Sequence, residues 1–408
     1  MGDLARSSES GHGNELNELN EGRPDGLGSH EAVREAHAAA LAALPGMTPA
    51  RLRKVLELVD PVEAFQMLAA GRHPADPEQR WREGATSRLV ERVASACVAT
   101  GIGIHLRGSP GYPPSLVGDR GAPEVLFSLG DTGVLDGIMR VAIVGTRACS
   151  TSGSETARRL ARELAELGVV VVSGLARGID QAAHAGSLGV AGTPALAAGV
   201  PGTSLDRPQP ASFPIWRDLA QRGVLLSEVA PCAPMARWRF AVRNRIMAAI
   251  SGAVVVVECH ERGGAFHTVR AAALRGIPVG AVPGSVRSPA SAGTNTLLAK
   301  GAFVVRDAAD VLAVLGDRSS RADRSARGDR SARADRSARL RGRAEEGMAC
   351  ACEGEACARV LAAVEWEPAS IDDVVERAGL GLADVAVALE ELRREGVVRD
   401  DSGWWTRA

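Results

Sequence analysis

The 408-residue sequence has no apolar run of the roughly 18 residues that a helix needs to span a bilayer. Its first residues include Asp3, Glu9, Glu15 and Glu18, so the basic-then-apolar order of a signal peptide is missing. Seven cysteines, an odd number in a long chain, indicate reduced thiols rather than a disulfide framework. These absences predict a soluble, cytoplasmic protein that does not contact membranes.

Net charge is almost absent as well, because 48 Lys and Arg residues oppose 49 Asp and Glu residues. Any binding of nucleic acid must therefore come from a local patch of charge. Lys54 and Lys300 are the only lysines, so arginine supplies nearly all of the positive charge. We interpret this bias as the codon usage of a GC-rich genome rather than as a functional requirement.

The common nucleotide-binding motifs are missing. Residues 145–153 lack the Gly-x-Gly-x-x-Gly spacing of dinucleotide-binding folds, and the Gly-Lys-Ser/Thr of a P-loop occurs nowhere. Metal-binding motifs are incomplete too. Cys350, Cys352 and Cys357 give three thiols where a closed zinc site needs about four ligands, and no histidine follows His267. The sequence therefore predicts no bound metal and no cofactor.

Composition divides the chain into five stretches. Short β-branched runs alternate with Ala-, Arg- and Glu-rich helical patterns in the middle of the chain, which is typical of an α/β fold. From Arg321 the hexapeptide Arg-x-Asp-Arg-Ser-Ala repeats without any large apolar residue, so nothing there can be buried. We expect a disordered tail at 1–29, an all-helical domain at 30–100, a Rossmann-like parallel-sheet domain at 101–315, a disordered linker at 316–350 and a winged-helix-like domain at 356–408.

The pattern also predicts individual elements. The all-helical domain has four helix candidates, at 32–44, 50–59, 61–70 and 83–100. The α/β domain has nine strand candidates, at 102–106, 125–129, 141–144, 169–172, 194–197, 224–226, 253–258, 278–282 and 303–305. Leu44-Pro45-Gly46-Met47-Thr48 resembles the phosphate-binding turn of a helix-hairpin-helix, but Thr48 followed by Pro49 favours a plain helix N-cap.

Two roles in the C-terminal part stay open. The arginine repeat is either a flexible linker or an auxiliary arm that contacts the DNA backbone. The third helix of the winged-helix-like domain, predicted over 382–395, has more acidic than basic residues. Phosphates would be repelled by such a helix, so we favour a protein-interaction role over reading of the DNA major groove.

Two loops that end predicted strands give the strongest positive signal. The apolar run before Gly145-Thr146-Arg147 and the run before the segment 173–180 both feed a helix through a glycine turn. Backbone N–H groups gather at helix N-termini and attract phosphate, and each turn adds an arginine, Arg147 or Arg177. Because the carboxyl ends of neighbouring parallel strands border one crevice, we expect these arginines to converge there.

A second segment, from Trp238 to Arg245, extends this hypothesis. Arg243, Asn244 and Arg245 could meet phosphates or a base edge, and Phe240 could stack on an unpaired base. Each has a structural alternative: the arginines could lie on a helix surface, and Phe240 could pack in the core. Asp180 could cap the following helix, with His184 one turn later on the same face.

In their order along the chain, Gly145-Thr146-Arg147, Ser173-Gly174-x-Ala176-x-Gly178-Ile179-Asp180 and Phe240-x-x-Arg243-Asn244-Arg245 resemble the DNA-processing protein A (DprA/Smf) family of bacteria. The resemblance covers residues 101–306. It implies an extended Rossmann-like fold that binds single-stranded DNA, and a homodimer that loads the RecA recombinase onto incoming DNA in natural transformation. It also implies a DNA-binding set of Gly145, Thr146, Arg147, Ser173, Gly174, Arg177, Gly178, Asp180, Phe240, Arg243, Asn244 and Arg245, with Lys300 as a weaker candidate.

The chain departs from the family pattern at Gln209 and at Gly263-Gly264-Ala265, where the family has tyrosine and Ser-Gly-Ser. The alternative function is that of a nucleotide-processing enzyme or nucleotide sensor of the fold found in LOG-type phosphoribohydrolases. Those enzymes carry Pro-Gly-Gly-x-Gly-Thr-x-x-Glu, whereas the segment 262–268 lacks both the third glycine and the glutamate. The missing carboxylate favours a binding protein over an enzyme.

Overall fold

The computed structural model describes residues 27–136, 139–191, 195–261, 263–326, 355–364, 369–401 and 404–407. Residues 1–26 of the expected disordered tail lie outside these ranges. Among the described residues, no helix is long and apolar enough to cross a membrane.

Four helices open the described chain: α1 (Leu27–Ala43), α2 (Pro49–Leu56), α3 (Pro61–Ala69) and α4 (Ser87–Thr100). Their apolar faces pack together around buried Leu41, Leu68 and Val93. The Thr48 hydroxyl accepts a hydrogen bond from the Arg51 N–H at 3.3 Å, so Thr48 is the N-cap of α2. The prediction of four helices is confirmed, although α1 begins before residue 32.

The α/β domain contains one nine-stranded sheet in the order β1-β2-β6-β5-β4-β3-β7-β8-β9. Its strands are β1 (Gly103–Leu106), β2 (Val125–Gly130), β3 (Arg140–Val144), β4 (Val170–Ser173), β5 (Ala197–Gly199), β6 (Val224–Ser227), β7 (Ala253–Val256), β8 (Val279–Ala281) and β9 (Phe303–Val304). The helices are α5 (Pro114–Val117), α6 (Thr151–Glu166), α7 (Ile179–Leu188), α8 (Phe213–Arg222), α9 (Arg239–Val242), α10 (Asn244–Ala249), α11 (Ala265–Ala273), α12 (Ala292–Ala299) and α13 (Ala308–Ala326).

The sheet is mixed rather than wholly parallel. The strands from β6 to β9 in the sheet order pair in parallel, whereas β2 pairs antiparallel with both β1 and β6. All nine strand candidates overlap strands, although β5 begins only at the last residue of the candidate 194–197. β3, β4 and β7 are buried along their apolar residues because helices cover both faces, which explains their continuous valine runs.

The expected disordered linker is partly helical. Helix α13 continues through Ala326 and so includes the first arginine repeat, which contradicts the prediction of disorder from residue 316. Arginine and alanine have high helix propensity, and the buried Val311 and Leu315 anchor the preceding turns. The rest of the repeat lies outside the described residues.

The C-terminal domain is a winged helix, as predicted. It comprises α14 (Glu355–Ala363), β10 (Ala369–Ser370), α15 (Ile371–Ala378), α16 (Leu382–Arg394), β11 (Val398–Asp401) and β12 (Trp404–Arg407). The strands form a small sheet in the order β10-β12-β11, and the helices enclose a separate core with Val360, Val374 and Leu389 fully buried.

Candidate nucleic-acid interface

The two strand-ending loops meet at the carboxyl ends of β3 and β4. The Ile179 N–H donates to the Thr146 carbonyl at 3.3 Å, which ties the start of α7 to the loop after β3. Gly178 has φ +93°, and a Cβ there would overlap the Thr146 carbonyl. Only glycine combines this conformation with so close an approach. The two loops therefore pack against each other at this edge of the sheet, and the convergence of Arg147 and Arg177 stays a prediction.

Glu258, which follows β7, holds the first loop in place. Its carbonyl accepts from the Thr146 N–H at 2.8 Å, and its carboxylate accepts from the Ser150 N–H at 2.7 Å and the Ser150 hydroxyl at 2.8 Å. A Cβ on Gly145 would come within 2.7 Å of the Glu258 carbonyl. Glu258 therefore fixes the backbone of the loop after β3 through hydrogen bonds to Thr146 and Ser150.

The second loop rests on a buried ion pair. The Arg243 guanidinium donates to the Val200 carbonyl and lies 3.5 Å from the Asp180 carboxylate, with side chains 7% and 6% exposed. A Cβ on Gly174 would overlap both groups. Gly178, not Asp180, is the N-cap of α7, so the predicted capping role of Asp180 is wrong. Asp180 lies in the first turn and pairs with Arg243 instead.

Burial governs the protonation of this pair and of its neighbour. Burial raises the pKa of Asp180 to about 6, although Arg243 opposes the shift. Burial likewise lowers the pKa of Arg243, against the effect of Asp180. His184 is fully buried, and burial lowers its pKa to about 4, although the backbone of Gly174 and Ser173 opposes the shift. His184 is therefore a neutral packing group at neutral pH.

An aromatic ring and exposed cations form the mouth of the crevice. The Arg147 guanidinium lies 6.0 Å from the centroid of the Phe240 ring, within the range of a cation–π contact. Phe240 is half-buried against Gly202, whereas Arg147 and Arg177 are exposed. The Phe240 ring therefore packs against Gly202 and is still partly accessible to a ligand.

Other predicted site residues lie below or away from this mouth. Ser173 is buried, and its hydroxyl donates to the Ile143 carbonyl at 2.6 Å. Asn244 is buried. Arg245 forms a bidentate ion pair with Glu228 at 3.1 and 2.6 Å, with side chains only 8% and 7% exposed. The structure therefore gives Arg245 a structural partner rather than an open face.

Lys300 lies at the opposite edge of the sheet. It is the C-cap of α12 and lies a few residues before β9, at the amino end of a strand that runs parallel to β8. The crevice is bordered by carboxyl ends, and the sheet therefore separates Lys300 from it. One candidate that the sequence analysis missed is Arg237, which is exposed and whose carbonyl accepts from the Phe240 N–H at 3.2 Å. Arg237 lies close to Phe240 in the sequence, and this spacing could have identified it as a candidate.

Of the three clustered cysteines that the sequence offers as metal ligands, the structure describes Cys357 alone. Within the described ranges, no group of three or more His, Cys, Asp or Glu side chains is placed to hold a metal ion. Cys350 and Cys352 lie outside those ranges. The Cys357 thiol donates to the Glu391 carboxylate at 3.1 Å.

Comparison with known proteins follows the same division into domains. Residues 103–316 match the family described as DNA recombination-mediator protein A. The chain belongs to this family. Residues 354–403 match the winged helix domain of DprA proteins. The resemblance seen in the sequence motifs is thereby confirmed.

Individual family members are similar to about half of the chain. The DNA processing protein DprA of Bacillus subtilis is 34% identical over 229 residues, which cover 56% of this chain and 76% of the relative. The putative DNA processing protein DprA of Mycobacterium tuberculosis is 44% identical over 198 residues, 48% of this chain. The chain spans 50% of the length of that mycobacterial relative.

The fold agrees with a solved member of the family. The X-ray structure of DNA processing protein A from Streptococcus pneumoniae has a TM-score of 0.56 and 30% sequence identity to this chain. The match covers 69% of this chain and 97% of the pneumococcal one. The α/β domain therefore has the fold of this family.

Proposed function

We propose that this chain binds single-stranded DNA in the crevice between the loops after β3 and β4. The observation that carries the proposal is the Arg147 guanidinium over the half-buried Phe240 ring, 6.0 Å from its centroid. Proteins that bind single strands combine a cationic groove with aromatic rings on which bases stack. Duplex DNA keeps its bases paired, so an aromatic platform at this place favours an unpaired strand.

The residues divide into two roles. Arg147, Arg177 and Arg237 are exposed and would contact phosphates, with Phe240 as the platform for a base. Gly145, Thr146, Gly174 and Gly178, which the family resemblance places at the DNA, lie in these two loops. The three glycines let the loops pack closely against each other and against the Asp180–Arg243 pair. Asp180 and Arg243 act as positioning residues, because their buried pair lies under the loop that starts α7.

The wider function follows from the family assignment. We propose a recombination mediator that works as a homodimer, in the cytoplasm, and loads the RecA recombinase onto incoming DNA in natural transformation. Membership of the DNA recombination-mediator protein A family supports this role. The proposal is one of binding rather than catalysis, because the segment 263–268 lacks the glutamate of the phosphoribohydrolases.

A competition experiment tests the binding proposal. The full chain is mixed with a labelled single-stranded oligonucleotide, and unlabelled single-stranded or duplex DNA of the same sequence is added as competitor. We expect the single strand to compete at a far lower concentration than the duplex. Equal competition would contradict the proposal, and release of ribose phosphate from nucleoside monophosphates would support the enzymatic alternative.

A further inference from the structure

A small pocket lies between the N-terminal helices and the α/β domain. Its volume of about 400 Å³ includes the open solvent at its mouth, so it suits a small group rather than a large ligand. Met47, which precedes α2, and Leu52 on α2 line one side, and Glu124, Trp238 and Arg239 line the other. The pocket therefore combines a carboxylate, an aromatic ring and a guanidinium with apolar walls.

This pocket lies at the same edge of the sheet as the crevice. Glu124 directly precedes β2, and β2 pairs antiparallel with β6, so Glu124 lies at the carboxyl end of β6. Strands β6, β5 and β4 are parallel, and the carboxyl end of β4 borders the crevice. Trp238 is two residues before Phe240, so their Cα atoms are at most about 7 Å apart. A strand stacked on Phe240 therefore passes close to the pocket.

Arg239 provides hydrogen-bond donors in the pocket. It is only 8% exposed, its Nη1 atom donates to the Pro234 carbonyl at 2.8 Å, and its guanidinium lies 5.3 Å from the centroid of the Trp238 ring. Among the described residues, no carboxylate forms an ion pair with it. Burial lowers the pKa of Arg239, although Glu228 opposes the shift. A guanidinium has five N–H donors, so further donors remain for a ligand.

Glu124 provides the acceptor. The Arg53 Nε atom and the Arg107 Nη1 atom both donate to its Oε1 atom, at 2.9 and 3.0 Å. Within the part of the chain that the structure describes, nothing donates to its Oε2 atom. The side chain is 15% exposed, so it is accessible from the pocket that it lines. A carboxylate has about four lone-pair sites, and Glu124 therefore keeps acceptor capacity for a ligand.

These three groups select the chemistry of the ligand. A small anion would meet the charge of Glu124, and a cation would meet that of Arg239, so a neutral ring with both acceptors and donors fits better. Guanine has the O6 and N7 acceptors that arginine recognises, and its N1–H and N2 amine can donate to a carboxylate. Its flat face stacks on an aromatic ring such as that of Trp238. Adenine stacks equally but lacks the O6 acceptor.

We propose that this pocket is a base-specific subsite that binds an unpaired guanine, with Trp238 as the stacking face, Arg239 as the donor to O6 and N7, and Glu124 as the acceptor from N1–H and the N2 amine. The inference rests on the proposed function for the strand that carries the base. A free guanine nucleotide offers the same base without a strand. The crevice would then bind any single strand, and the pocket would add a preference for one base.

The first test changes the DNA and leaves the full chain unaltered. A strand of thymidines with one central guanine should bind about tenfold more tightly than the same strand with a central adenine, because a bidentate arginine–guanine contact discriminates to about that extent. A central 7-deazaguanine, which lacks N7, or hypoxanthine, which lacks the N2 amine, should lose most of this preference. Equal affinities for the guanine and adenine strands would overturn the proposal.

The second test changes the protein. Arg239→Lys keeps the charge but loses the planar fork, so the ratio of guanine-strand to adenine-strand affinity should fall from about ten to about one. The exposed Arg162 on α6 gives the matched control, because Arg162→Lys should keep the ratio. Trp238→Leu at the half-buried ring should lower the affinity for the guanine strand toward that of an all-thymidine strand. Unchanged ratios in both pocket variants would contradict the assignment.

The third test separates the pocket from the proposed function. Calorimetric titration of the full chain with guanosine monophosphate and with adenosine monophosphate needs no DNA strand. We expect tighter binding of the guanine nucleotide and loss of that difference in Arg239→Lys. If the crevice variants failed to weaken DNA binding, the proposed function would fall while this result stood. Guanine-nucleotide binding that Arg239→Lys leaves intact would place the base elsewhere and overturn the inference.

Discussion

The crevice contains two groups of arginines that the sequence alone does not separate. Arg147 and Arg177 are exposed on loops after parallel strands, whereas Arg243 and Arg245 are buried in ion pairs with Asp180 and Glu228. The exposed arginines can contact a ligand, whereas the charges of the buried arginines are neutralised by neighbouring carboxylates. The same residue type therefore serves binding at the mouth and stability beneath it.

Removal of Arg243 should have the largest effect. Arg243→Ala leaves the Asp180 carboxylate buried without its ion-pair partner, and loss of one member of a buried pair costs about 3 kcal/mol or more. We expect the free energy of unfolding in urea to fall by about that amount. The double variant Arg243→Ala/Asp180→Asn should recover part of the loss. Normal stability of Arg243→Ala with lost DNA affinity would place this arginine in the binding group instead.

The pH dependence of stability should report the same buried pair. The pKa of Asp180 is raised to about 6 in the fold, so the folded state binds its proton more tightly than the unfolded state. This group therefore adds stability below its unfolded pKa, near 3.8, and that stability is lost as pH rises to about 6. Relative to the unaltered chain, Asp180→Asn should remove a fall of about 2 kcal/mol across this window. Parallel urea-unfolding profiles at pH 4 to 7 would contradict this.

Phe240 tests the mouth of the crevice. Phe240→Leu keeps apolar volume but removes the stacking face, so the affinity for single-stranded DNA should fall by about 1–2 kcal/mol. Phe240→Trp should retain it. Fluorescence anisotropy with a short oligonucleotide measures both variants, and thermal unfolding shows whether packing has changed. A Phe240→Leu variant that binds normally but unfolds early would assign the ring to the core.

Arg177→Ala should have the smallest effect. One exposed cation contributes a single phosphate contact, so the affinity should fall about threefold at moderate salt, and less as salt rises. Its stability should match that of the unaltered chain. A lower unfolding temperature for this variant would contradict the assignment of Arg177 to the exposed arginines that do not contribute to stability.

The sequence predicted the sheet well because strand patterns are local. The valine runs of β3, β4 and β7 and the glycine turns after them are short-range signals, and parallel strand geometry then brings the loops together. The antiparallel pairing of β2 with β6 joins segments that are far apart in the sequence, so no local pattern predicts it. The helical first repeat was mispredicted for a different reason, because local helix propensity outweighed the lack of apolar residues.

The environment of the arginines could not be predicted for a related reason. Arg245 and Glu228 are 17 residues apart, and Arg243 and Asp180 are 63 apart. The burial of each pair depends on the packing of several strands and loops. Their sequence spacing is compatible with either an open cationic track or a buried network. Arg147 and Arg177 were predictable because a loop at a strand end is exposed wherever the strand lies.

The measurement that tests the account most directly is the salt dependence of single-stranded DNA binding by Arg147→Ala and Arg162→Ala. Both variants lose one exposed arginine, but Arg162 lies toward the far end of α6, away from the crevice. We predict that Arg147→Ala weakens binding about tenfold and lowers the slope of log affinity against log salt by roughly 0.7, while Arg162→Ala changes neither. Identical slopes for the two variants would contradict a DNA-binding crevice at the loops after β3 and β4.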